Sequence, residues 1–237
     1  MASPQVPKTA IITGAGRGMG AAVARVLAAR GYRLALMTPS DSAERLAQDL
    51  DAVAVRGSVS VAADLAHLVE TTLATYGRID ALVNNPGQVS HGELLEIGDA
   101  TWAEGFDHIL LSVIRLCRLV TPVMERQGGG AIVNVTTAST FEPTLRFPIS
   151  ATMRAGLSSF TKLYADRYAA AGIRMNCMLP GAIDSMDHAE ARRLSIPAQR
   201  IGTIQEIAET VAFLLSDDAG YITGQCLRVD GSETRHV

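Results

Sequence analysis

A short apolar run over residues 8–12 leads into Thr13, Gly14, Ala15, Gly16, Arg17, Gly18, Met19 and Gly20, and an alanine-rich stretch over residues 21–30 follows. No other feature constrains the fold as much. The order reads as strand, glycine turn and helix, and a second strand, Arg33, Leu34, Ala35, Leu36 and Met37, closes a βαβ unit. Glycines let the backbone take positive φ and come close to a ligand, while the helix start offers free N–H groups and a positive dipole end. A pyrophosphate is the ligand that suits such a turn. A glycine loop alone is weak evidence, and its place between strand and helix at the start of a βαβ unit is what gives it weight.

Strands alternate with helical stretches along the rest of the chain, which predicts a parallel sheet covered on both faces. Breakers punctuate it at Thr38, Pro39 and Ser40, at Gly128 to Gly130, and at Pro180 and Gly181. With 237 residues, 48% of them hydrophobic, one domain spanning 1–237 is expected. The net charge of -3 and the scattered Lys and Arg argue against a nucleic-acid surface. Residues 1–8 lack the apolar core of a leader, and no later run is long enough to span a bilayer. A cytoplasmic protein without membrane partners is therefore expected. Cys117, Cys177 and Cys226 are widely spaced in apolar surroundings, which predicts free thiols and no metal site.

The glycine spacing, T-G-x-x-x-G-x-G, resembles that of the short-chain dehydrogenase/reductase family. Further landmarks follow in order: Asp64 at the third strand, Asn84, Asn85, Pro86 and Gly87 after the fourth, residues 132–135 as the fifth, residues 174–181 as the sixth with its Pro-Gly turn, and residues 227–231 as the last. The resemblance covers nearly the whole chain. It implies a single-domain α/β Rossmann fold, a doubly wound parallel sheet of about seven strands, with ligands at the carboxyl ends of the strands. It also implies cofactor contacts from Gly14, Arg17, Gly18, Met19 and Gly20, from Thr38, from Asp64 and Leu65, from Asn85 and Gly87, from Arg154, and from Pro180, Gly181, Ile183 and Ser185. Residues 184–200 stand where the family carries its substrate lid, here short.

An acid at the end of the second strand favours NAD, and arginine with hydroxyls favours NADP. Arg17, Ser40 and Ser42 point to NADP, whereas Asp41 beside them points to NAD. NADP is the preferred reading, with NAD as the alternative.

The catalytic positions are where this chain departs from the family. The resemblance puts the family's serine at Thr137, its tyrosine at Ser150, its lysine at Arg154 and its asparagine at Ile109. Carbonyl reduction needs an acid for the developing alkoxide. A serine alcohol is a far weaker acid than a phenol and reaches less far, and Ile109 has no polar atom for a proton relay. Arg154 keeps the charge but does not titrate as an ammonium does. Thr137 keeps a hydroxyl for a substrate oxygen, or satisfies the strand end as an ordinary threonine does. Ser150 as a nucleophile would need a base, for which His91 and His108 are candidates. Asp184 and Asp187, beside Ser185 and His188, line the pocket mouth, or Asp184 or Ser185 caps a helix.

The expectation is a protein that binds NAD(P)(H) and performs ordinary hydride transfer weakly or not at all. The alternatives are a non-catalytic dinucleotide sensor or partner subunit, and a non-redox enzyme using the same pocket. The small-molecule substrate is not named by the sequence. By resemblance a homodimer or homotetramer is expected; apolar positions Ile109, Leu110 and Leu111 and Leu157, Phe160 and Leu163 suit its interface, and a buried intramolecular face would look the same.

Overall fold

The computed structural model describes residues 6–235; the first five of the eight residues read for a leader lie outside them. Seven parallel strands form one sheet: β1 (Thr9–Thr13), β2 (Arg33–Thr38), β3 (Val53–Arg56), β4 (Ala81–Asn84), β5 (Gly130–Val135), β6 (Ile173–Pro180) and β7 (Cys226–Val229). Their spatial order is β3-β2-β1-β4-β5-β6-β7. All five residues of β1 and all four of β4 are buried. Such continuous burial is what a parallel sheet covered on both faces demands, and it explains apolar runs without alternation.

The helices form two layers. On one side α1 (Gly18–Ala29) and α8 (Ile204–Leu215) pack on the sheet around Val23, Leu27, Val211 and Leu214. On the other, α3 (Ala62–Tyr76), α5 (Ser112–Gln127) and α6 (Pro148–Tyr168) pack around Leu68, Leu82, Leu116 and Leu157. The short helices α2 (Ser42–Leu50), α4 (Asp99–Phe106) and α7 (Glu190–Ser195) complete the set. A single π-helical turn, Asp107–Leu111, joins α4 to α5. The direction of strand order reverses between β1 and β4, so a cleft opens there at the strands' carboxyl ends.

Two expectations are corrected. Ile109 and Leu157 are fully buried in the α5/α6 layer and cannot present an assembly surface. Their apolar runs serve the core, and of the six positions Leu163 is the strongly exposed one.

One local device is testable. Thr203 Oγ1 accepts from Glu206 N–H at 3.1 Å, and the Glu206 carboxylate accepts from Thr203 N–H at 2.8 Å, a reciprocal cap on α8. Thr203→Ala is expected to cost about 1 kcal/mol in a urea melt. The hydrogen bond from Arg200, then that from the Thr203 backbone, depresses the Glu206 pKa to about 2 from 4.5. A depressed carboxylate stabilises the fold above its unfolded value, and that contribution is lost as pH falls through about 2. Arg200→Ala, which removes the largest cause of that depression, should therefore lower Tm at neutral pH by a gap that narrows as pH falls below 4.5.

Candidate functional site

The glycine loop and the turn after β4 interlock at the cleft floor. Gly14 takes φ +60°, and a Cβ there would lie 2.3 Å from the Asn85 carbonyl oxygen. A Cβ on Gly20 would lie 2.2 Å from the Gly14 carbonyl oxygen. Neither distance is possible between real atoms, so only glycine brings β1, α1 and the β4 turn this close. Asn85 secures the junction: its side-chain amide donates to Gly14 O at 3.2 Å, and its backbone N–H donates to Thr13 Oγ1 at 3.0 Å. Asn85 thus spends its side chain on the loop.

Above this floor the helix start is open. Arg17 precedes α1, is exposed, and has no ion-pair partner among the described residues. Gly18 takes φ +53° with Ser185 Cβ the nearest atom to its missing side chain, at 3.5 Å. Met19 is half-buried beside it. After β2, Thr38 is half-buried, the Ser40 and Ser42 hydroxyls lie 2.7 Å apart, and the Asp41 carboxylate accepts from Arg45 at 2.5 Å.

The expected position of Asp64 at the third strand is corrected. Asp64 lies in the first turn of α3, not at the end of β3, and its carboxylate accepts from Ser58 N–H at 2.8 Å. It closes the loop after β3. Leu65 is fully buried in the core. Ser58 and Val59 lie in the loop between β3 and α3.

At the end of β5 the structure centres on Arg154. Its guanidinium donates to Val135 O at 2.7 Å, to Gly87 O at 3.3 Å, to Pro86 O at 3.4 Å and to Ser150 Oγ at 3.1 Å. These bonds tie α6 to the end of β5 and to the turn after β4. Burial is the main influence on this cation and pulls its pKa down to about 10, so it is still charged at neutral pH. No carboxylate balances it among the described residues. Carbonyl dipoles solvate it in place of water. Ser150 is half-buried, and because its oxygen accepts from Arg154 its own proton is free to donate. Thr137 Oγ1 accepts from Ser139 N–H, the ordinary satisfaction of a strand end. Ile109 sits inside the π turn with its side chain in the core.

Among the described residues neither candidate base hydrogen-bonds to Ser150, whose oxygen accepts from Arg154. His91 is exposed and meets the Phe147 ring edge-on at 5.9 Å. His108 holds Nδ1 3.3 Å from Ser60 Oγ, beside a cavity of about 680 Å³ lined by Ser60, Gln88, Val89, Thr101 and Asp107. Burial first and the Arg154 charge second lower the His108 pKa, which keeps the ring neutral.

Residues 184–200, where a lid is expected, carry α7 and little else regular. Asp184 Oδ1 accepts from Ile204 N–H at 2.7 Å, the helix-capping role. Pro180 and Ile183 are buried, Gly181 is half-buried against Asp230, and Ser185 is exposed over the glycine loop.

A seven-stranded parallel sheet with a glycine loop at its switch point defines a protein of the dinucleotide-binding fold class. The profile of a family described as enoyl-(acyl carrier protein) reductase matches residues 14–232. The chain is 34% identical over 238 residues to the 3-oxoacyl-[acyl-carrier-protein] reductase FabG of Staphylococcus epidermidis, covering 94% of this chain and 98% of the relative. It is likewise 34% identical over 234 residues to the FabG reductase of Escherichia coli K12, at 94% and 96% coverage. A solved 7α-hydroxysteroid dehydrogenase, complexed with NADH and 7-oxo glycochenodeoxycholic acid, superposes with a TM-score of 0.90 at 28% identity, over 96% of this chain and 94% of that one. This chain belongs to the short-chain dehydrogenase/reductase family.

Proposed function

We propose that this protein binds NADP(H), with NAD(H) as the weaker pair, across the glycine loop, and that its hydride transfer to carbonyl substrates is weak. The residues fit the dinucleotide. Gly14 and Gly20 clear the floor, the α1 start and Arg17 meet phosphate charge, and Ser40 and Ser42 offer hydroxyls after β2. Asp41, the residue that would favour NAD, is engaged by Arg45. When bound, the cofactor supplies or accepts the hydride, and proton handling falls to the chain.

The observation that carries the reading is the Arg154 network. Its N–H groups are spent on Val135, Pro86, Gly87 and Ser150, so it acts as a latch on the site and not as a titrating partner. Ser150 donates a hydrogen bond to a substrate oxygen but does not readily surrender its proton. Proton delivery then comes from water. Thr137 offers a second hydroxyl, and the buried Ile109 breaks any relay through the π turn.

The reductase names of the relatives support an oxidoreductase and suggest a 3-oxoacyl thioester as probe. A second reading, a dinucleotide-binding sensor or partner subunit, draws on the same latch. Assembly into a homodimer or homotetramer, a cytoplasmic site of action and a lid at residues 184–200 belong to the proposal too.

Calorimetric titration with NADPH, NADP, NADH and NAD tests it. The phosphorylated pair is expected to bind about tenfold more tightly, a difference of about 1.4 kcal/mol. No heat with any of the four would overturn the reading, and fast steady-state reduction of the thioester by wild type would overturn its catalytic half.

A further inference from the structure

Two cysteines face each other across the last two strands of the sheet. Cys177 on β6 and Cys226 on β7 are register partners on adjacent parallel strands. Cys177 takes part in a polar cluster with α6, its Sγ 3.1 Å from Thr161 Oγ1 and 3.9 Å from Ser158 Oγ. Adjacent strands lie about 4.8 Å apart, inside the Cα separation that a disulfide spans. β7 is the sheet's edge strand, and Cys226 is partly exposed while Cys177 is buried. The pair therefore has one thiol that a small oxidant reaches and one held behind it.

The two thiols also ionise unequally. The neighbouring Cys177 thiol favours the Cys226 thiolate while burial opposes it, and Cys177 itself is held protonated. The third cysteine, Cys117, is fully buried in α5 and its pKa is raised by that burial. A reactive, accessible thiolate beside a second thiol is the arrangement that oxidises reversibly.

We propose that Cys226 and Cys177 form a reversible oxidation site for peroxides. The Cys226 thiolate attacks one peroxide oxygen, breaking the O–O bond, to give a sulfenic acid and hydroxide. The Cys177 sulfur then attacks the Cys226 sulfur, losing its proton as water departs, and the disulfide forms. In sum two thiols and one hydrogen peroxide yield one disulfide and two waters, and a dithiol restores the thiols by exchange. The bond alters the acceptor shared by Thr161 and Ser158. Ser158 Oγ donates to Arg154 O at 3.1 Å, so the oxidation state is felt on the helix that carries Arg154 and Ser150.

The full chain treated with hydrogen peroxide, then blocked with iodoacetamide and digested, tests this. The expected result is a Cys177–Cys226 cross-linked peptide that dithiothreitol removes, with Cys117 still a free thiol. In Cys177→Ser, dimedone should trap a sulfenic acid on Cys226; in Cys226→Ser, Cys177 should stay reduced. The proposal is overturned if Cys226 in the folded wild type reacts no faster than Cys117. It is equally overturned if dimedone-reactive Cys226 accumulates in wild type without the cross-link.

Discussion

Replacing Arg154 with methionine is expected to lower the unfolding free energy by about 2–4 kcal/mol, because the side chain that bridges three carbonyls and a hydroxyl disappears while its partners stay. Two large terms oppose each other. Holding an unpaired cation out of water costs several kcal/mol, whereas each hydrogen bond from a charged group returns roughly 1.5–3 kcal/mol, and Arg154 makes four. Four such bonds outweigh one desolvated charge. Methionine removes the charge but leaves Val135 O, Pro86 O and Gly87 O without a donor. Arg154→Lys should fall between, since a single ammonium cannot fork across carbonyls on two separate segments. Urea melts of the three proteins at neutral pH decide it. A methionine variant as stable as wild type, with an unchanged m-value, would mean that the buried charge is a liability and that the latch serves only the site.

The parts of this molecule that were legible in its sequence are those set by local order. The glycine loop between strand and helix, and apolar runs too continuous for a half-exposed sheet, fix the strands and their parallel sense. Contacts between distant residues are not written that way. Arg154 reaches Val135 across 19 positions and Gly87 across 67, so the sequence marks a retained charge but not the ring of carbonyls around it. Asp64 was misplaced for a related reason. Acids at strand ends and acids in first helical turns follow apolar runs alike, and only the loop through Ser58 separates them. Ile109 and Leu157 show the same ambiguity, because an apolar helix position looks identical whether it faces the core or a partner.

The largest change in activity is expected from restoring the family's acid, with Ser150→Tyr and Arg154→Lys made together. A general acid of suitable pKa contributes about 10²–10⁴-fold to a rate, and the double variant should gain at least about 10²-fold over wild type in NADPH-dependent reduction of a 3-oxoacyl thioester. The reasons are reach and acidity. A phenol titrates near pH ~10, extends several ångströms beyond a serine hydroxyl, and lies on the same helix face as a lysine four residues on. Ser150→Tyr alone should gain little, because the Arg154 N–H groups stay committed to the carbonyls. Arg154→Lys alone loosens the turn after β4 without supplying an acid. Ser150→Phe with Arg154→Lys controls for bulk and should be no faster than wild type. Stopped-flow traces at saturating NADPH separate the hydride step from binding, and circular dichroism confirms that each variant is folded. If the double variant binds NADPH and still reduces no faster than the phenylalanine control, the missing phenol is not what limits this site. The obstacle would then lie in the buried Ile109 or in the Pro86 turn, and the sensor reading would gain.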